Sequence, residues 1–456
     1  MKTKSGTYVM EVQGYRDEEG KVKHKYLRYL GKLDEKGNLI PSMKIENTQV
    51  KKVRLHGPVC ALHQITKEIG LEFILGEYAP EILTLVYSHI LKPESLNNIK
   101  RTIKWIDTDE IGLDVPVSRK RFEHAMDTLA DTIQSIERKL YEKILEQCEV
   151  NTLLYDVTGV YFYGTHLKRA KRGYNSNLPQ IGIGLAVESE YGIPLFHQLF
   201  DGNVFDAKTF PVILGRLREF AQKKCTLVFD RGISSKENVQ HAVDSGFSVI
   251  ACIPIKGKRL KDIALNTAQS MGPEDIRPLR EQIRQNRYYE LQEAVERLKR
   301  GSAIKKGLKK YIREDKKEID YQAVKEGEKY DGIYIVITTT DLPTEKVVQK
   351  YFERDMIEKS FRSLKSTLSI QPVRHWLWRR VKAHIFICYL AYLHLSWMKM
   401  LLETGGISLS PVKALQELET IYTVELTDTK TKLSTSRTVP LTKEQEKIYK
   451  ALHLLS

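Results

Sequence analysis

The stretch from Tyr351 to Lys365 sets a carboxylate among cations and an aromatic hydroxyl at helical spacing: Tyr351, Arg354, Glu358 and Lys365. An α-helix turns about 100° per residue. With Arg354 at zero, Glu358 falls at roughly 40°, Lys365 at roughly 20° and Tyr351 at roughly 60° on that geometry. The four therefore predict one stripe on one helix. A carboxylate so placed can hold a hard metal ion, while the cations and the phenol take phosphate oxygens. The other reading of the stripe is an amphipathic surface helix in which Glu358 pairs with Arg354 at i,i+4.

Two further acids stand where strands must position them. Asp156 lies in Thr152-Leu-Leu-Tyr-Asp156-Val-Thr-Gly-Val-Tyr-Phe, where apolar and β-branched residues predict a buried strand around a single acid. Buried carboxylates are rare unless paired or metal-bound. Gln180–Glu188 and Gly192–Gln198 predict the next two strands. Between the first two strands lies a basic loop with Lys168, Arg169, Lys171 and Arg172, able to meet phosphate. Asp230 ends the apolar run Cys225-Thr-Leu-Val-Phe and is followed by a glycine turn, a serine able to N-cap, and a helical pattern. Acids at the carboxyl ends of strands in an α/β sheet face its ligand-binding edge. Taken singly, an Asp at a strand end also serves as an ordinary turn cap.

The pattern Y-x2-R-x3-E-x6-K, read after Asp156 and Asp230 in strand contexts, resembles the signature of the DDE transposases of bacterial cut-and-paste insertion sequences. The resemblance implies an α/β fold: a ribonuclease-H-like mixed sheet, with an insertion between the second Asp and the Glu, preceded by a small β and a helical amino-terminal region. It implies that Asp156, Asp230 and Glu358 form the catalytic triad and hold the metal, and that Tyr351, Arg354 and Lys365 grip the DNA around the cut. Arg362 on the same helix joins them as a DNA contact. Asp201-Gly-Asn-Val-Phe-Asp206 also matches a recurrent Gly-Asn-x-x-Asp stretch of the family. In it Gly202 and Asn203 read as turn-forming and Asp206 as structural.

The chemistry implied is two-metal phosphoryl transfer, with two Mg2+ ions roughly 3.5–4 Å apart and Mn2+ able to substitute. Without metal, three converging carboxylates repel one another, so at least one should have a raised pKa. The expected reaction is cleavage at the element's ends and strand transfer into target DNA, with a dimer in the synaptic complex. Two rivals stay open: a nuclease on the same core without strand transfer, and a transposase-derived DNA-binding protein without activity.

Asp230 and Glu358 are separated by 127 residues, too many for one crossover connection. Strands predicted at 246–254 and 332–340 bracket an insertion. Its residues 297–317 hold ten Lys or Arg against two acids. That run reads either as a solvated face or, given a DNA substrate, as a phosphate-contacting arm. Members of the family use an aromatic of such an insertion to hold a flipped base. This insertion has no Trp, and Tyr288, Tyr289 and Tyr311 are its candidates between residues 256 and 320.

Composition agrees with a polyanionic partner: the net charge is +15, with 41% hydrophobic residues. The five cysteines show no Cys-x2-Cys spacing and read as reduced thiols of a cytoplasmic protein. The amino terminus has no apolar leader segment, and the expected location is the cytoplasm of a bacterium or archaeon, with the nucleoid. Residues 383–398 are the most apolar stretch, too short for a membrane span of ~20 residues, and read as a core helix in which His384 and His394 are core or groove histidines. Trp376 and Trp378 mix with arginines and read as DNA contacts or as packing.

The expected division is a small antiparallel β subdomain (1–55), a helical DNA-end-binding region (56–150), the first part of the core (151–255), the basic insertion (256–330), the second part of the core (331–400) and a carboxyl-terminal subdomain (401–456). Ser118 is the expected cap of a long helix. The cations Arg119, Lys120 and Arg121 in its first turn oppose the helix dipole, which points to an anion there, such as the element's terminal DNA.

Overall fold

The computed structural model describes residues 2–3, 6–34, 36–42, 45–110, 112, 118–162, 167–172, 178–204, 206–220, 225–270, 277–301, 304 and 307–455. They fall into two compact units, Met1–Ala125 with His394–Ser456, and Met126–Leu393.

The second unit is built on a mixed sheet. Its strands are β1 (Thr152–Tyr161), β2 (Pro179–Glu188), β3 (Pro194–Asp201), β4 (Thr226–Phe229), β5 (Ser248–Ile253) and β6 (Ile335–Thr338). Across the sheet they run β6, β5, β4, β1, β2, with β3 on the far side of β2. β4 is parallel to β1 and β5, whereas β2, β3 and β6 pair antiparallel with their neighbours. β4 and the first half of β1 are apolar on both faces and buried, as expected for central parallel strands. On one side Tyr155 reaches Thr209 Oγ1 at 2.9 Å, and its ring lies so close to Gly184 that a Cβ there would meet the phenol oxygen at 2.6 Å. A side chain at 184 would displace that ring.

The helices between residues 119 and 404 are α1 (Arg119–Gln147), α2 (Asp206–Phe220), α3 (Lys236–Asp244), α4 (Gly257–Ser270), α5 (Arg277–Lys299), α6 (Tyr321–Glu328), α7 (Thr344–Phe352), α8 (Asp355–Arg362) and α9 (Trp378–Thr404). Ser118 and Ser235 cap α1 and α3, their Oγ atoms accepting from Arg121 N and Asn238 N at 3.3 and 3.1 Å. A buried network ties α1 and α2 to β3. Glu137 accepts from His197 N at 2.9 Å, meets His197 Nδ1 at 2.7 Å, and accepts from Arg216 Nη2 at 2.7 Å. Burial works against the Glu137 charge, but His197 and Arg216 hold its pKa below the usual value. α9 is long and apolar enough to cross a membrane by composition, yet its apolar stretch is 94% buried inside the protein, as the core-helix reading expected.

The segment between β5 and β6 has its own small core of Leu291, Ala294, Ile304, Leu308, Tyr311, Ile312 and Val324. The basic run there is partly neutralised within itself: Arg297 pairs with Glu293, Lys299 with Glu296, Lys309 with Glu314 and Arg313 with Asp320. Among the described residues, Arg300, Lys310, Lys316 and Lys317 keep no carboxylate partner, Lys310 lying over the Tyr311 ring instead; Lys305 and Lys306 lie outside them.

The first unit joins both ends of the chain. Strands Gly6–Arg16, Val22–Leu33 and Leu39–Pro41 form the small antiparallel sheet. Thr48–Leu55 instead pairs with Tyr422–Asp428, which pairs with Ser434–Thr438. The division at 401 and at 55 therefore separates what this sheet unites. Thr442 caps the last helix, Lys443–Ala451, in a capping box with Gln445. His394 is wholly buried, its Nε2 2.8 Å from Thr66 Oγ1. Two of the three first-turn cations of α1 have carboxylate partners: Arg119 pairs with Glu123 at 2.7 Å and Arg121 with the buried Glu81. The cysteines are free, with Cys225, Cys252 and Cys388 buried and Cys60 and Cys148 partly so.

Because Glu137 satisfies three donors from β3 and α2, Glu137→Ala leaves the largely buried Arg216 without its carboxylate. It should cost about 3–5 kcal/mol, read as a lowered unfolding midpoint in urea.

Candidate active site

Parallel pairing sets β4 beside β1 with Phe229 opposite Tyr155. Asp230 therefore leaves the end of β4 next to Asp156, which lies halfway along the longer β1. Side chains alternate along a strand, so Thr152, Leu154, Asp156 and Thr158 share one face of β1. The chain from α7 to Thr367 lies along that face. Lys350 Nζ donates to Thr152 Oγ1 at 2.7 Å, and Lys365 Nζ donates to Thr158 Oγ1 at 2.6 Å. The two lysines hold the segment at either side of Asp156.

This segment is not the single helix its periodicity predicts. α7 ends at Phe352, and Arg354, Met356 and Ile357 make tighter bonds to the third residue back instead of the fourth. α8 follows, and Ser363–Thr367 is a π turn, where Leu368 N reaches Ser363 O. The tightened and widened turns alter the even 100° step, yet the signature residues still converge. Tyr351 donates to Asp230 Oδ1 at 3.4 Å. Arg354 lies between two acids, Nη1 3.5 Å from Asp230 Oδ2 and Nη2 3.2 Å from Glu358 Oε1. The i,i+4 ion pair of the alternative reading thus exists, but it is one half of a bridge to Asp230.

Charge at the site is unevenly compensated. Asp156 is half-buried and accepts a hydrogen bond from the adjacent Val157 N at 2.8 Å. Burial pushes its carboxyl up to about 7; Val157 N and Arg354 oppose that, while Asp230 and Asp206 add to it. Burial opposes the Arg354 charge, but Asp230, Tyr351, Glu358 and Asp156 more than offset it and hold the guanidinium above its ordinary pKa. Arg354 Nε is buried with no partner among the described residues. Burial raises Tyr351 well above its ordinary value, so the phenol stays protonated. Burial lowers Lys365, and Asp156 works against that.

Asp206 was read as structural, and it does open α2. It also approaches the site: a Cβ on Gly232 would sit 3.4 Å from its Oδ2, and burial and then Asp230 raise its pKa. The Gly-Asn-x-x-Asp stretch was the only sequence signal for it. The donor set of Asp156, Asp230 and Glu358, with Asp206 nearby, is all carboxylate oxygen. Carboxylate oxygen is the ligand type of a hard divalent cation, but here the Arg354 guanidinium stands between Asp230 and Glu358.

The other basic candidates are not brought to the acids by any described contact. Arg362 is exposed at the end of α8. Lys168, Arg169 and Lys171 are exposed beyond the far end of β1, and Arg172 is placed only by its backbone, in a two-residue strand on β2. Of the insertion's tyrosines, Tyr311 belongs to the small core and cannot reach out, Tyr288 lies against Tyr321 at 6.5 Å, and Tyr289 is 72% exposed.

Neighbouring acids on parallel strands, faced by a third on a cation-rich helical arm, define a site suited to polyanion chemistry. The family described as "Transposase DDE domain" matches residues 151–394, and the chain belongs to it. Asp156, Asp230 and Glu358 all fall within the matched span. No curated protein matches this chain. Among solved structures it is similar to the piggyBac transposase synaptic complex with hairpin DNA, at 10% identity over 80% of this chain and 79% of that one, with a TM-score of 0.43.

The raised Asp156 carboxyl makes a signed prediction for metal-free protein. Between the ordinary value of 3.8 and about 7 the folded state holds a proton that the unfolded chain has lost. This group's contribution is fully present below the unfolded pKa and is lost as pH rises through the folded one. In EDTA, the melting temperature of wild type relative to Asp156→Asn should fall from pH 4 to 7 and level off above. A difference that stays constant over that window contradicts the raised carboxyl.

Proposed function

We propose that this protein is the transposase of a bacterial insertion sequence, cutting DNA at the element's ends and joining them to target DNA. The observation that carries the reading is the convergence of Asp156 and Asp230 on adjacent strands with Glu358, through Arg354, on one face of the sheet. The sheet order, with its acids at β1 and β4, supports a ribonuclease-H-like core.

Asp156, Asp230 and Glu358 would hold Mg2+ or Mn2+. When bound, two such ions supply an activated water or 3′-hydroxyl and neutralise charge on the leaving oxygen. The chain's own residues do the rest. Arg354, kept cationic by its acid neighbours, is placed to take a phosphate oxygen once the carboxylates are occupied. Tyr351 keeps its proton and so offers a hydrogen bond from the same side. Lys365, half-buried beside Thr158, supplies a cation on the other side of Asp156. These contacts orient one phosphodiester relative to the acids, which is the larger part of catalysis where little covalent chemistry falls to the protein. The partners are DNA ends and target DNA, held in a dimeric synaptic complex, in the cytoplasm with the nucleoid.

The test is a cleavage assay on DNA carrying the gene's own flanking sequences, with Mg2+, Mn2+ or EDTA. Wild type should cut at fixed flanking positions only with metal and give joined donor–target product. Glu358→Ala should lower the cutting rate by about a hundredfold or more while still binding. Cutting without joined product leaves a nuclease, and binding without cutting in either metal leaves a DNA-binding relic.

A further inference from the structure

Away from the acids of the sheet, the first unit gathers a second set of metal-ligating side chains. His56 stands between the strand Thr48–Leu55 and the helix Gly57–Ile69, and Cys60 lies one turn further on. Asp107 and Glu110 follow the helix Ile99–Trp105. The backbone brings the two stretches together. Asp107 N donates to Leu55 O at 3.0 Å, and His56 N donates to Ile421 O at 3.0 Å. The turn at Gly57 is closely packed, since a Cβ there would run into Leu418 O.

His56 Nδ1 lies 3.2 Å from Asp107 Oδ2 and 3.7 Å from Glu110 Oε1. The donor atoms of His56, Cys60 and Glu110 all fall within 4.8 Å of one another. In a tetrahedral zinc site with bonds of about 2.0–2.3 Å, neighbouring ligand atoms are roughly 3.3–3.8 Å apart. The two imidazole–carboxylate distances are already close to that edge, and the thiol needs to close by no more than about 1 Å. An ion pair alone does not account for the arrangement. His56 and Arg54 already answer Asp107, with Arg54 Nη1 3.6 Å from its Oδ1. A second carboxylate and a thiol at the same imidazole add nothing to that pair. Tyr449, on the last helix, is 7% exposed, and its hydroxyl, turned toward Cys60, completes no well-formed hydrogen bond among the described residues.

Thiolate, imidazole and carboxylate together are the ligand set of a borderline-soft divalent ion, whereas the acids at β1 and β4 offer oxygen alone. We propose that His56, Cys60, Asp107 and Glu110 form a structural zinc site that ties the helix Gly57–Ile69 to the segment after Ile99–Trp105. Without metal, Asp107 holds the His56 pKa up at about 10, so the ion displaces one proton from the ring and another from the thiol. Three anionic ligands around a dication leave one negative charge, which Arg54 answers through Asp107. The thiolate so formed gives the buried Tyr449 hydroxyl an acceptor. The assignment does not rest on the DNA reading, because its ligands are remote in sequence from Asp156, Asp230 and Glu358 and its test needs no DNA.

The full-length protein, reduced and stripped with a chelator, is titrated with Co2+ in excess Mg2+, which fills sites made of carboxylates alone, and then with Zn2+. Wild type should bind a single Co2+ with the near-ultraviolet absorption of a cobalt–thiolate bond. Zn2+ should displace it and raise the melting temperature. Cys60→Ser should abolish that absorption. His56→Ala should weaken Zn2+ by more than the roughly ten- to hundredfold that loss of an outer-shell partner costs. Glu110→Gln, at a partly exposed side chain, should weaken Zn2+ while keeping the absorption, and it carries the test if circular dichroism shows either other variant misfolded. Asp156→Asn should bind Co2+ and Zn2+ as wild type does. Wild type that binds no Zn2+, absorption that survives in Cys60→Ser, or Zn2+ affinity unchanged in His56→Ala or Glu110→Gln overturns the site and leaves the transposase reading standing. Metal binding lost in Asp156→Asn assigns the ion to the acids of the sheet and also overturns it.

Discussion

The parallel register between β1 and β4 is the constraint on which the rest of the site depends. It sets Phe229 opposite Tyr155 and so brings Asp230 beside Asp156. Side chains alternate with period two, so a slip of one residue would turn Asp156 to the opposite face of the sheet, toward α2. With the register fixed, two acids share one face and must be reconciled electrostatically. Arg354 answers Asp230 and Glu358, Tyr351 answers Asp230, and the lysines at 350 and 365 fasten their segment to threonines on either side of Asp156.

Two acids of the same unit, Glu137 buried and Asp156 half-buried, show what separates a structural carboxylate from one kept for chemistry. Glu137 has donors on both oxygens, from His197 and Arg216, and its pKa is held down. It locks helices to the sheet. Asp156 has the adjacent backbone amide, other acids nearby and a carboxyl pushed up to about 7. A perturbed acid with that little local compensation is maintained against stability, and such residues gather where a ligand completes the charge balance.

Much of the unit was legible beforehand because its strands and helices carry strong local signals. Asp156 stands in a β-branched run, Asp230 closes a short apolar one, and Ser118 and Ser235 cap the helices that follow them. What escaped is non-local. The tightened turn at Arg354 and the π turn at Ser363–Thr367 leave no mark on a 3.6-residue pattern. The basic run after α5 looked uniformly cationic, although carboxylates a turn away or across a hairpin neutralise part of it. The pairing of Thr48–Leu55 with Tyr422–Asp428 joins residues several hundred positions apart, which no window along the chain contains.

The sequence alone determined which residues could do the chemistry. Acid, cation and phenol types at helical spacing, with two acids in strand contexts, limited the choice to a handful of positions. Only the tertiary structure decided how those charges are shared. Arg354 bridges two acids, Asp206 stands close to Gly232 and feels the charge of Asp230, Tyr311 belongs to the insertion's own core, and Trp376 is left facing solvent. The reason is physical: residue type and periodicity are local properties. Desolvation and Coulomb interaction depend instead on distances between segments, and those distances exist only once the sheet has closed.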